Sequence, residues 1–125
     1  MTRQQTFGLI CLSGFLAVAI GAFGAHGVSD PKAKAWIVTG SSQHMAHTLA
    51  MFAAIWLQDQ GYRRAKQAVL LFGVGICLFA GSLYALALGA PRLIAMAAPM
   101  GGLSLLAGWL VLAFACLSHK DTTDA

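Results

Sequence analysis

Charged side chains are scarce in this sequence, 10% of 125 residues, where a soluble domain carries about 25%. Too few are present to coat a water-facing surface. All four acidic residues are aspartates: Asp30, Asp59, Asp121 and Asp124. None falls inside a long apolar stretch. This excludes a carboxylate that could orient a buried histidine for nucleophilic catalysis or neutralise a bound cation. Cysteine is equally sparse. Cys11, Cys77 and Cys116 show no CxxC spacing, so neither a zinc ribbon nor a disulfide framework is indicated. They read as buried thiols packed like small apolar residues. No glycine-rich phosphate loop follows a strand, because no strand is expected. The net charge of +4 comes without an aromatic-interleaved basic patch, so nucleic acid is not an expected partner.

What remains is hydrophobic, 58% of the chain. The spacing of the charges decides the class. Residues 4–29, 35–58, 67–91 and 93–119 carry none. About 20 apolar residues carry a helix across ~30 Å of hydrocarbon, and a charge at mid-bilayer costs roughly 2.5–3.5 kcal/mol. Four such stretches predict an all-α integral membrane four-helix bundle, a single domain over 1–125. Its helices are expected at about 6–25, 35–57, 67–88 and 99–117. The first apolar run exceeds the ~7–15 residues of a signal-peptide core, so it reads as a retained helix.

Small residues recur four apart at Ser13, Ala17, Gly21 and Ala25, and again at Gly73, Cys77, Gly81, Ala85 and Gly89. Gly101, Gly102 and Gly108 give the last helix a narrow face. Such ridges let membrane helices approach closely. Gly21, Gly73, Gly81, Gly101, Gly102 and Gly108 are therefore the predicted packing positions. Asp30-Pro31 is a turn or helix-start signal, and Leu93–Ala98 is placed at the interface. Arg3, Arg63, Arg64, Lys66 and Lys120 fall on one side of a four-span arrangement, against Lys32, Lys34 and Arg92 on the other. The positive-inside bias predicts both termini in the cytoplasm.

Four patterns stand together along the chain: GAFGAHG at 21–27, QHMAHTLAMF at 43–52, LFAGSLYALAL at 78–88, and PMGG at 99–102 with GW at 108–109. In this order they resemble the YgdD-like family of small bacterial inner-membrane proteins, the domain-of-unknown-function family 423. The matching residues are Gly24, His26, Gly27, His47, Gly81, Ser82, Tyr84, Pro99, Gly101 and Gly102. The resemblance implies a four-helix protein of the inner membrane and carries no activity with it.

The first half of the second helix is unusually polar, with Thr39, Ser41, Ser42, Gln43, His44 and His47. Gly40, His44, His47 and Met51 share one helical face, which must turn to the bundle or to water because lipid cannot hydrogen-bond it. His26 follows the first helix, so His26, His44 and His47 are the candidate metal ligands, in the outer half of the bundle. Imidazole with thioether would suit copper, and imidazole alone zinc. The plainer reading is hydrogen bonding between helices, with Gln43, Ser82 and Tyr84 as the polar cluster. The leading expectation is a non-enzymatic structural or accessory membrane protein without a cofactor. Its partners are the lipid bilayer and a second copy or other membrane proteins. The alternative is a conduit or binder for a small solute, proton or metal ion.

Overall fold

The computed structural model describes residues 1–120; Asp121 and Asp124 lie outside the described residues. Four helices follow one another, and no strand occurs among the described residues. Helix α1 is Arg3–His26 and α2 is Pro31–Asp59. Helix α3 is Ala65–Ala87, interrupted by a π turn at Ile76–Ala80. A 3-10 turn at Arg92–Met96 leads into α4, Ala97–Leu117.

Local capping sets the helix ends. Thr2 and Gln5 form a reciprocal box: Gln5 N–H donates to Thr2 Oγ1 at 3.2 Å, and Thr2 N–H donates to Gln5 Oε1 at 2.8 Å. Two orphan amides are thereby satisfied, and α1 starts ahead of its apolar stretch. Asp30 accepts from the Ala33 amide at 2.9 Å, and Pro31 takes the first helical position, where its missing N–H costs nothing. Helix α2 therefore starts before Ala35. Gly61 and Gly89 have φ of 98° and 96°, a left-handed turn that side chains resist, and they close the ends after α2 and α3.

Short connections make consecutive helices antiparallel neighbours. Helix α1 packs on α2, α2 on α3, and α3 on α4. The core comprises Ala50, Ala54, Ala65, Ala68, Phe72, Leu105 and Leu112. Alanine brings the backbones close, and Phe72, fully buried, fills the space between α2, α3 and α4. Large apolar side chains face outward instead, among them Phe15, Leu70, Leu103 and Leu110. This is the surface of a protein dissolved in lipid.

Three helices, α1, α3 and the segment Arg92–Leu117, are long and apolar enough to cross a membrane. Helix α2 is the fourth element of the bundle. Its 29 residues reach ~43 Å, and its polar face is sheltered: Gly40, His44, His47 and Thr48 are buried. At the cytoplasmic end expected from the charges, Arg3 Nη1 donates to Asp59 Oδ1 at 2.8 Å. That bond holds the Asp59 carboxyl below the usual carboxylate range.

The ridge predicted on α3 is not where the helices meet. A Cβ at Gly81 or Gly89 would meet nothing within 4 Å. The close approach is made by other residues: the Gly101 backbone lies against Leu78 and Phe79 in the π turn, and Gly75 faces Leu105. A Cβ at Gly108 would come within 2.7 Å of Phe72 Cδ1. Gly21 lies against Ser41, with a Cβ 3.3 Å from its Oγ, while Gly102 touches only Phe79, at 3.9 Å. The three thiols are a second correction. Cys11, Cys77 and Cys116 are exposed on the outer surface, which is the membrane-facing one.

Candidate functional site

Near the midpoint of α2, His44 and Thr48 lie one turn apart and face α1. Ser13 reaches both, with its Oγ 2.9 Å from His44 Nε2 and 2.8 Å from Thr48 Oγ1. On its other side, His44 Nδ1 lies 3.0 Å from the Tyr84 hydroxyl of α3. Gly40 makes room for that phenol, since a Cβ there would sit 2.8 Å from Tyr84 Cε1.

Donor accounting gives this chain a direction. Thr48 Oγ1 lies 2.8 Å from the His44 carbonyl, which only accepts, so Thr48 donates there. Ser13 must then donate to Thr48 and accept from His44 Nε2–H. That leaves a lone pair on His44 Nδ1, which accepts from Tyr84 O–H. Neutral His44 is thus assigned the Nε2–H tautomer.

His47 carries the opposite one. The Trp109 indole can only donate, and its Nε1–H does so to His47 Nε2 at 3.0 Å. His47 Nδ1–H donates to the Gln43 carbonyl at 2.8 Å. The imidazole also sits against Phe72, with ring centroids 5.4 Å apart, and meets Trp109 edge-on at 6.0 Å. One histidine ties α2 to α1 and α3, and the next ties it to α4. Among the described residues no buried side-chain nitrogen or oxygen lacks a partner.

This geometry separates the predicted site residues. His26 is exposed at the end of α1. His44 meets α1 at Ser13, thirteen residues earlier, or ~20 Å along the helix. Among the described residues no three His, Cys, Asp or Glu are grouped to hold a metal ion. Both lone pairs that neutral His44 and His47 could offer a metal are occupied by hydrogen bonds. Of the predicted polar cluster, Tyr84 joins His44. Ser82 instead donates to the Phe79 carbonyl at 2.8 Å within its own helix. Gln43 lends only its backbone carbonyl, and its side chain is exposed. The two histidines lie near the midpoint of α2.

Sequence reasoning missed Ser13, Thr48 and Trp109 as members of this network. Thr48 had a signal, four residues after His44 on the same face. Ser13 was hidden as a member of a small-residue ridge.

The Ser13–His44 contact invites comparison with a nucleophile and its base. In a triad a carboxylate accepts from the far imidazole N–H, leaving the near nitrogen to take the serine proton. Here a phenol donates to the far nitrogen, and the serine proton points at Thr48. The polarity is reversed, and Ser13 is not activated.

Known proteins resemble the chain along almost its whole length. The family profile described as "Protein of unknown function (DUF423)" matches residues 20–102. A "UPF0382 membrane protein" of Haemophilus influenzae is 44% identical, covering 95% of this chain and 98% of that protein. The "UPF0382 inner membrane protein YgdD" of Escherichia coli K12 is 37% identical, covering 96% and 95%. The "UPF0382 membrane protein YwdK" of Bacillus subtilis 168 is 33% identical, covering 86% and 92%. No solved structure matches.

Proposed function

This chain belongs to the DUF423 family of membrane proteins, and we propose that it is a non-enzymatic structural component of the bacterial inner membrane that assembles through α2, first of all with a second copy of itself. The observation that carries this is the placement of Gln43. The buried polar groups beside it satisfy one another, yet its own amide faces outward near mid-helix, with Thr39 and Ser42 also exposed. Lipid offers an amide no hydrogen bond. Glutamine both donates and accepts, so two copies related by a two-fold axis would satisfy each other's amides. Ser42 and Ala46 beside it are small enough for close approach.

The reading as an ion or solute conduit has less support. No charge lies within the apolar stretches 4–29, 35–58, 67–91 and 93–119, and the imidazoles are held in closed bonds rather than along an open path. The positive-inside bias supports both termini in the cytoplasm.

Two differently tagged copies, co-expressed and purified in gentle detergent, test the proposal. Wild-type copies should recover one another, and Gln43→Leu should abolish recovery while leaving the bundle folded. Recovery that Gln43→Leu leaves intact would sink it. Metal bound stoichiometrically, and lost in a His44→Ala/His47→Ala variant, would favour the binder.

A further inference from the structure

Helix α1 packs on one flank of α2 and α3 on another. Between α1 and α3 a cleft opens toward the bilayer, floored by α2. It comprises two adjoining cavities of about 560 and 620 Å³, both bordered by Thr6, Val69 and Leu70.

The cleft is amphipathic along its length. Its mouth carries Arg3, Gln58, Asp59, Lys66 and Gln67. Its depth is lined by Leu9, Ile10, Gly73, Val74 and Cys77. Arg3 is paired with Asp59, and Lys66 has no ion pair among the described residues, so the side chains at the mouth keep one net positive charge. From Arg3 to Ser13, at the inner end, α1 rises ~15 Å. That is half of a hydrocarbon core ~30 Å thick, the depth of one leaflet and of one acyl chain.

We infer that this cleft is a binding site for an anionic phospholipid, its headgroup phosphate at Lys66 and Gln67 and one acyl chain between α1 and α3 down to Ser13. The charge complementarity favours lipid over a second copy, which would bring a mouth of the same positive sign. Basic residues at a membrane surface attract anionic headgroups in the same way. At Gly73 the wall of the cleft carries no side chain. A Cβ there would meet only Met51 Cε, at an ordinary 3.7 Å, so the position serves the cleft rather than helix packing. Gln43 is not among the residues lining either cavity, so the inference does not rest on assembly through it.

The test is native mass spectrometry of the purified full chain. It is titrated with phosphatidylglycerol or with phosphatidylcholine of the same acyl chains. Wild-type protein should carry one phosphatidylglycerol in preference to phosphatidylcholine. Lys66→Gln should reduce that preference about five-fold, the value of one basic residue near the surface. Gly73→Leu, which fills the cleft, should remove both lipid adducts. Should that variant fail to fold, Leu9→Trp closes the cleft from the exposed edge of α1. Equal binding of the two lipids by wild type would overturn the inference. So would a lipid adduct that survives in a folded cleft-filling variant, or dimerisation without lipid that the same variant abolishes.

Discussion

Replacing Ser13 by alanine tests the directed hydrogen-bond chain. The hydroxyl accepts from His44 Nε2–H and donates to Thr48 Oγ1, at 2.9 and 2.8 Å. Its removal orphans a buried N–H, which costs about 1–3 kcal/mol when left unsatisfied. Thr48→Val, close in shape, removes a different link. Ser13 O–H can then rotate, and the His44 carbonyl keeps its helical partner, so the cost should be nearer 0.5–1.5 kcal/mol, that of one ordinary hydrogen bond. The assay is reversible unfolding in mixed micelles. Nitrogen NMR of the histidines should report His44 protonated on Nε2 and His47 on Nδ1 in the wild type. Ser13→Ala costing no more than Thr48→Val, or His44 protonated on Nδ1, would refute the assigned direction.

Trp109→Phe keeps the ring but removes the donor to His47 Nε2. It should destabilise the bundle by about 0.6–1.7 kcal/mol, as other interhelical bonds in membranes do, and shift the His47 nitrogen resonances. Gly108→Ala forces a methyl against the fully buried Phe72 ring and should cost about 1–3 kcal/mol by overpacking. Gly81→Ala meets open space and should stabilise by up to about 1 kcal/mol through helix propensity; the same unfolding assay separates the two. Reporter fusions after Gly61 should read cytoplasmic and fusions after Val28 should read periplasmic, the opposite pattern reversing the orientation.

The helix count was legible because a bilayer tolerates few charges, so the spacing of Asp30, Asp59, Arg63 and Arg92 marks the ends of the spans. Where each helix starts was less legible. The capping box at Thr2 and Gln5 and the cap at Asp30 extend helices into polar sequence that hydropathy discounts. The α3 ridge misled because a spacing of small residues marks where a neighbour could approach, not where one does. Gly75 and Gly101 make the close contact, and only three-dimensional packing distinguishes them from Gly81. In the site, His44 and His47 announced themselves as polar residues on an apolar helix. Their partners did not: Ser13 reads as a small packing residue and Trp109 as an apolar one. Tautomers depend on which neighbour can only donate or only accept, and sequence order carries no such information.

Energy transfer between donor- and acceptor-labelled copies reconstituted into the same vesicles tests the assembly claim most directly. The account predicts transfer for the wild type that falls to the level of unassociated proteins in Gln43→Leu, with the helical spectrum unchanged. No transfer in the wild type, or transfer that persists when Gln43 is leucine, would contradict it.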